Sequence, residues 1–334
     1  MRTLKKSLAL VLALVMVVGL LTIGAGAAFT DDEDIQYKEA VAVMTGIGAI
    51  NGYEDGSFRP QGNITRAEAA KMVTYAILGP NVASMLPTKT SSFTDMAGYS
   101  WAIPYIEYCV SKGIINGVGG GKFEPAGNVT GFQLAKMLLC AAGYGQADEY
   151  VGSQWSLNVA IDAFANGIFA GSKVTDFSLP ATREEAALYI FNGITKVATV
   201  TYSKDKDAYE KVKGNSNDIN GDTYLQIAEY VYPNLEVTDG TGSDAFGRPN
   251  VRAWSLGGDT IYEDILNPPA VVYTSAVTTG KIYSDLKLKS IATVAGDNVF
   301  TNGEPGGAQV KIAPNGEDTV GGNGIVTEVY TEQG

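Results

Sequence analysis

The spacing of apolar residues changes along the chain, and the change falls near residue 199. Before it, apolar residues recur every three or four positions, as in Leu134, Met137 and Leu138, which is typical of one face of an α-helix. After it, short β-branched segments alternate with turns, which is typical of strands. The sequence therefore predicts a mainly α N-terminal part followed by a β-rich C-terminal module.

The predicted elements of the C-terminal third are short. A polar and charged stretch predicts a linker over 199–222. A short helix is predicted over 223–232, just before Pro233. The predicted strands are 270–274, 281–283, 290–294, 309–312 and 324–331. Short strands between turns indicate a small sandwich or barrel.

The first 28 residues have the pattern of a secretory signal peptide. Arg2, Lys5 and Lys6 precede an apolar run over 8–23, and small residues suited to a signal peptidase follow over 25–28. An uncleaved N-terminal anchor is the alternative. No later segment has the roughly 18 uninterrupted apolar residues of a membrane span. The chain is therefore expected to have no membrane contact once the signal peptide is removed.

An internal repeat organises the helical part. The segment from Gly48 aligns without a gap with the segment from Gly113, and the two share Ile-Asn-Gly, Phe-x-Pro and Ala-Lys-Met. A weaker third copy is marked by Asn166 and Thr182. Each copy is predicted as helix, loop, helix, a unit that buries its apolar face only against its neighbours. Three copies predict a closed, pseudo-threefold helical assembly.

Each second helix is predicted to begin at a capping box. The pairs are Thr65 with Glu68, Thr130 with Gln133 and Thr182 with Glu185. Two of these threonines are followed by Arg66 and Arg183, whose charge faces the positive end of its own helix dipole. Folding does not explain such an arginine. It is either a ligand group for a carboxylate or phosphate, or a solvated side chain or one paired with a nearby acid.

The composition excludes several kinds of catalytic site, metal site and partner. The 334-residue chain has no histidine, which excludes Ser-His-Asp and Cys-His catalysis and histidine-based zinc sites. Its net charge of −12 argues against a nucleic-acid partner. Cys109 and Cys140 lie in apolar helical patterns and are either buried thiols or a disulfide. We expect no cofactor, no metal and no catalytic residue.

The repeated motifs resemble those of S-layer homology domains over residues 29 to 198. The likeness rests on Phe93-Thr94-Asp95, on Gly-Ile-Ile-Asn-Gly at 113–117 and on Thr-Arg-Ala-Glu at 65–68. Such domains come in threes in secreted proteins of bacteria with a thick cell wall. They form a three-pronged helical spindle and bind secondary cell wall polymers, often capped by a pyruvylated sugar. The resemblance implies this fold, this partner and a location in the cell wall or S-layer.

The resemblance also implies a ligand-binding groove between neighbouring copies. The family uses the Asp of the Phe-x-Asp start, an aromatic residue of the first helix, the loop Gly and the Arg of Thr-Arg-Ala-Glu. The matching residues are Asp31, Asp95, Trp101, Trp155, Gly52, Gly117, Arg66 and Arg183. Simple core packing is the alternative for the two tryptophans. Gly131 replaces the arginine in the second copy, so one groove is expected to lack its charge clamp.

The expected organisation is a signal peptide at 1–28, repeats at 29–84, 85–148 and 149–198, a linker at 199–222 and a β-rich module at 223–334. The expected function is non-covalent, non-enzymatic anchoring to secondary cell wall polysaccharide linked to peptidoglycan. Residues 29–198 are expected to bind as well as the full chain. The alternatives are an anchored polysaccharide-active enzyme and a self-associating S-layer lattice subunit.

Overall fold

The computed structural model describes residues 29–88, 90–214, 224–240 and 252–263, together with the backbone of short strands between 272 and 330. The predicted signal peptide, residues 215–223 and the predicted strand at 281–283 lie outside the described residues. The chain divides into two compact units, Met1–Val237 with Trp254–Tyr262, and Thr238–Ala253 with Glu263–Gly334. Among the described residues, none of the helices has the length and apolar content needed to cross a membrane.

The helix-rich character predicted for the N-terminal region is confirmed. Its helices are α1 (Lys38–Gly46), α2 (Arg66–Leu78), α3 (Pro80–Ser84), α4 (Ile103–Ser111), α5 (Gly131–Ala141), α6 (Trp155–Ala165) and α7 (Arg183–Thr195). A further helix, α8 (Ile227–Val231), follows the third copy and lies within the helix predicted over 223–232. In each copy a first helix (α1, α4 or α6) and a second helix (α2, α5 or α7) flank a loop. The three predicted capping boxes are all formed at the starts of α2, α5 and α7.

The helices pack in a closed cycle. Each first helix lies on the second helix of another copy: α1 on α7, α4 on α2 and α6 on α5, while the three second helices pack on one another. The backbone closes the same cycle just before the second helices. Ile64 N donates to Ala181 O at 3.1 Å, Ala181 N to Val129 O at 2.8 Å, and Val129 N to Ile64 O at 3.1 Å. The weakly similar third copy is therefore an integral part of the ring.

Each second helix also begins against the loop of the next copy. Arg66 N donates to Gly127 O at 2.8 Å, and Arg183 N donates to Gly62 O at 2.8 Å. Gly131 N makes the equivalent bond to Leu179 O at 3.3 Å. These bonds satisfy backbone donors that a helix N-terminus leaves unpaired. They also place the residue after each capping threonine in contact with the loop of a neighbouring copy.

The two free cysteines lie within the helical core. Cys109 is buried and Cys140 is partly buried, so the disulfide alternative is wrong. Burial raises the pKa of Cys109 to about 12 and that of Cys140 to about 11, with a weaker lowering by Lys136 in the second case. Both thiols therefore behave as small apolar groups.

The residues that follow the third copy pack on the helices. The predicted linker contains a hairpin of β1 (Val200–Ser203) and β2 (Ala208–Lys211). Val200 N donates to Ala142 O at 2.8 Å, and Trp254 is fully buried. Three strands that the sequence did not predict, β3 (Leu235–Asp239), β4 (Arg252–Leu256) and β5 (Asp259–Glu263), pair in the order β3-β4-β5. These segments contain polar residues that obscure the strand pattern in the sequence. Contacts with distant residues, and not the local pattern, form the strands.

The predicted β-structure of the C-terminal module is found as a small antiparallel sheet. Its order is β11-β9-β8-β7, with β7 at Lys289–Val294, β8 at Asp297–Thr301, β9 at Gln309–Ile312 and β11 at Glu328–Tyr330. β6 (Val272–Tyr273) pairs separately with β10 (Gly324–Ile325). The strands predicted over 290–294 and 309–312 are therefore confirmed, the one predicted over 324–331 is split in two, and β8 was missed.

Candidate functional site

Arg66 reaches from the first copy into the loop of the second. Its Nε donates to Phe123 O at 2.8 Å and its Nη2 donates to Asn116 O at 2.7 Å. The guanidinium carbon lies 4.6 Å from the centroid of the Phe123 ring. Burial lowers the pKa of Arg66, and the nearby Glu124 and Asp95 oppose that shift. The helix tolerates this cation because carbonyl groups of a neighbouring copy accept its hydrogen bonds.

Arg183 plays the equivalent part between the third copy and the first, but with fewer bonds. Its Nη2 donates to Asn51 O, and its guanidinium carbon lies 4.8 Å from the Tyr53 centroid. Only 9% of Arg183 is exposed, and its buried Nε has no hydrogen-bond partner among the described residues. Within the described chain, the ion pairs involve neither Arg183 nor Arg66. Acid pairing is therefore not observed for either arginine among the described residues, and burial excludes a solvated side chain for Arg183.

A cavity of about 280 Å³ opens beside Arg183, and we call it groove A. Its lining comes from all three copies: Ala49, Ile50, Asn51, Gly52, Tyr53, Glu68, Lys71, Met72, Tyr75, Trp101 and Arg183. Trp101 is 43% exposed, so it is not a core residue. Groove A thus brings together three of the predicted site residues, Gly52, Trp101 and Arg183.

Lys71 adds a second cation to groove A. Its Nζ lies 5.7 Å from the Trp101 centroid and 5.6 Å from the Tyr75 centroid, within cation–π range. Among the described residues it has neither a hydrogen-bond acceptor nor a carboxylate partner. Glu68, the acid of the groove, is engaged by Thr65, whose N and Oγ1 both donate to its Oε2 at 2.8 Å. The Lys71 ammonium is therefore free to meet an anion.

Five residues stand at the equivalent positions one copy further on, and we call this set groove B: Arg66, Asn116, Gly117, Lys136 and Trp155. Lys136 Nζ lies 5.6 Å from the centroid of the half-buried Trp155. Unlike Lys71, it already donates to a carbonyl, Tyr150 O, at 2.7 Å. Groove B therefore repeats the arginine, asparagine, glycine, lysine and tryptophan of groove A, but its arginine and its lysine both donate to carbonyls.

The two predicted aspartates hold the loops in shape. Asp95 accepts from Phe123 N at 2.9 Å and from Glu124 N at 2.8 Å. Asp31 binds the equivalent amides of Phe58 and Arg59 at 2.8 and 2.7 Å. The hydrogen bond from Phe123 N is the main cause of the lowered pKa of Asp95. Asp31 does not line groove A. Its carboxylate instead binds backbone amides of the loop.

Close packing explains the two predicted glycines. A Cβ on Gly117 would lie 2.5 Å from Cε1 of Phe93 and 2.7 Å from Lys122 O. A Cβ on Gly52 would lie 2.6 Å from Cε1 of Phe29. The phenylalanine that opens each of the first two copies therefore packs where a side chain at the loop glycine would stand.

Gly117→Ala is expected to destabilise the fold by about 1–3 kcal/mol, the usual cost of overpacking. Gly62→Ala is the matched control, because its Cβ would meet nothing closer than Arg59 O at 3.4 Å. Urea unfolding of both variants measures the difference. Equal stability of the two variants would contradict the packing role.

The missing arginine of the second copy affects the loop of the third copy. Gly131 starts α5 against Phe177, and a Cβ on Gly131 would lie 3.1 Å from both Cβ and O of Phe177. Phe132, Phe164 and Phe169 pack around the same ring, with centroids within 5.9 Å of it. An aromatic cluster therefore occupies the position at which the other loops meet an arginine.

Sequence reasoning missed the lysines of both grooves. Lys71 and Lys136 recur in the repeated Ala-Lys-Met, so the repeat carried the signal. It went unused because a lysine on the polar side of a helix is ordinarily solvated. Within the described part of the chain, no group of three or more Cys, Asp and Glu side chains is arranged to hold a metal ion.

Comparison with known proteins identifies the first two copies. The family profile of the S-layer homology domain matches residues 28–70 and 92–135, which supports assigning S-layer homology domains to these two segments. The third copy is not among the matched segments.

Among curated proteins, the chain is 30% identical over 151 residues to a cell surface protein of Thermoanaerobacter kivui, covering 44% of this chain and 20% of that protein. It is 29% identical over 172 residues to the surface-layer 125 kDa protein of Lysinibacillus sphaericus, covering 48% and 14%. It is 34% identical over 91 residues to an uncharacterized cell wall amidase of Bacillus anthracis, covering 27% and 16%. The chain thus spans a fifth or less of each relative.

Proposed function

We propose that this protein is a secreted, non-enzymatic cell-surface anchor whose grooves bind an anionic polysaccharide attached to peptidoglycan. The observation that carries the proposal is groove A, where an exposed indole, a free ammonium and a buried arginine with an unpartnered N–H line one cavity. In this proposal the three copies form the three-pronged spindle of the family, with the third copy as a degenerate member. Residues 1–28 direct secretion and are removed.

The chemistry of groove A favours a pyruvylated sugar. A pyruvate ketal carries a carboxylate, which a guanidinium and an ammonium bind through charge-assisted hydrogen bonds. The face of a sugar ring stacks on an exposed indole such as Trp101. The chain as a whole carries a charge of −12 and repels a polyanion, so binding requires a local cationic site of this kind.

We propose that groove A binds more tightly than groove B. Lys71 and the Nε of Arg183 are unengaged, whereas Lys136 and Arg66 already donate to carbonyls that a ligand would have to replace. Gln133 stands in groove B at the position of Glu68, which removes one negative charge there. The missing negative charge favours anion binding in groove B by about 1 kcal/mol or less, because the groove is exposed to water. Each hydrogen bond that a free cation of groove A makes to the ligand is worth about 1.5–3 kcal/mol. The free cations therefore outweigh the charge difference.

A second candidate function is an anchored enzyme acting on the wall. The observation that favours it is the similarity to a relative named as a cell wall amidase. Release of soluble fragments from purified walls by the full chain would establish this activity. The names of the surface-layer relatives favour a third role, assembly into a surface layer, which lattice formation by the purified protein would test.

The proposed anchoring function predicts selective sedimentation with walls. Mature protein should pellet with native walls, less with walls from which mild acid has removed the pyruvate ketal, and least with walls stripped of secondary polymer. Loss of the ketal carboxylate explains the weaker binding to acid-treated walls. Loss of the sugar chain explains the further weakening with stripped walls. Centrifugation followed by quantification of the bound protein measures all three. Equal binding to native and stripped walls would refute polysaccharide recognition.

A further inference from the structure

The hairpin that follows the repeats contacts the segment that supports groove B. Tyr209 on β2 donates its hydroxyl hydrogen to Glu149 Oε1 at 2.5 Å, and the Tyr209 hydroxyl oxygen accepts from Gln146 N at 2.7 Å. Its ring packs on Tyr144 with the centroids 5.2 Å apart. The hairpin therefore holds the segment between α5 and α6 by a hydroxyl as well as by apolar contact.

Glu149 organises this segment. Its Oε1 also accepts from Gly145 N at 2.8 Å, and its Oε2 accepts from Ala147 N at 3.0 Å. Burial, followed by the hydrogen bond to Glu149, raises the pKa of Tyr209 to about 12. The hydroxyl therefore remains a donor at any pH suited to binding measurements. One carboxylate thus ties Tyr209 to the backbone of residues 145–149.

The segment in turn contacts Lys136 and the helix that carries Trp155, two of the groove B residues. Tyr150 O accepts from the Lys136 ammonium at 2.7 Å. The next helix, α6, begins with Trp155 and is anchored through Asn158 Nδ2, which donates to Glu149 O at 2.8 Å. Displacing residues 149 and 150 therefore shifts the ammonium and the indole together.

Groove A is supported by a different contact: the carbonyl of Tyr75, which lines it, accepts from the Tyr232 hydroxyl at 2.9 Å. Lys71 faces only aromatic rings and makes no hydrogen bond to a carbonyl among the described residues. We propose that Tyr209, a residue outside the three repeats, is a positioning residue for groove B and not for groove A. This inference rests on the proposed function, and it makes groove B dependent on the hairpin of β1 and β2.

The test is Tyr209→Phe, which removes one hydroxyl, in two single-groove backgrounds. With Arg183→Ala, which leaves groove B, the dissociation constant for solubilised wall polysaccharide should rise about threefold to tenfold. With Arg66→Ala, which leaves groove A, it should change less than about twofold. Tyr202→Phe is the matched control, because Tyr202 lies opposite Tyr209 in the hairpin and its hydroxyl binds Asp207 instead. Equal losses in both backgrounds, or none in either, would overturn the proposal.

A second readout does not depend on polysaccharide. Acetylation of Lys136 should accelerate in Tyr209→Phe and in Glu149→Gln, because its contact with Tyr150 O loosens, while Lys71 in the same sample should react at an unchanged rate. If the wild-type protein does not bind walls, the proposed function fails, and this labelling alone decides the positioning role. Faster labelling of Lys136 alone would uphold that role, and unchanged or equally accelerated labelling of both lysines would refute it.

Discussion

Arg183→Ala is expected to weaken binding of wall polysaccharide about tenfold to a hundredfold. A charge-assisted hydrogen bond to a ligand carboxylate is worth about 1.5–3 kcal/mol, and about 1.4 kcal/mol corresponds to a factor of ten. Titration of the mature protein with soluble polysaccharide measures the change. Arg66→Ala should weaken binding less, since the Nε and Nη2 of Arg66 already donate to Phe123 O and Asn116 O.

The same two variants should show the opposite order in stability. Arg66→Ala loses two hydrogen bonds to the loop of the next copy and should lower the free energy of unfolding by about 1–3 kcal/mol. Arg183→Ala loses one bond to Asn51 O but also removes a buried, unpartnered Nε, so its cost should be smaller. Arg183→Lys is the control that keeps the charge without the planar guanidinium. If Arg183→Ala binds normally, or loses binding only in proportion to unfolding, the assignment of groove A fails.

Trp254→Ala is expected to destabilise the protein by about 3–5 kcal/mol, the cost of truncating a buried aromatic residue. Trp254 is fully buried, and its ring meets the Phe191 ring edge-on with the centroids 5.3 Å apart. Its Nε1 donates to Glu39 Oε1 at 2.6 Å. Trp254 thereby joins a strand beyond the repeats to α1 and α7. Trp254→Phe keeps a ring but not the donor, so it should cost less. Thermal and urea unfolding measure both variants.

Truncation after residue 198 should have an even larger effect. Val200, Ile227, Tyr232 and Leu235 belong with Trp254 to the buried core of the first compact unit. We therefore expect residues 29–198 to melt well below residues 29–263 and to bind polysaccharide more weakly. This reverses the sequence-based expectation that 29–198 binds as well as the full chain. A fragment 29–198 that matches 29–263 in melting temperature and affinity would restore that expectation.

The sequence by itself determined the local structure of the repeats. The helical periodicity, the three capping boxes and the duplicated loop are short-range patterns, and short-range interactions decide them. The repeat also pointed to Arg66 and Arg183 and to the aromatic residue Trp101. Trp101 and Arg183 do line one cavity, although they come from different copies.

Only the tertiary structure decided how these residues combine. Arg66 serves the loop of the next copy, and Gly131 leaves the third loop without an arginine, because ring closure sets each second helix against a neighbour's loop. The freedom of Lys71 and the engagement of Lys136 depend on the different segments that join the copies. Tyr209 and Trp254 were assigned no role in binding or in the repeat core because their contacts span tens to hundreds of residues. Such long-range contacts follow from packing, and no pattern along the chain encodes them directly.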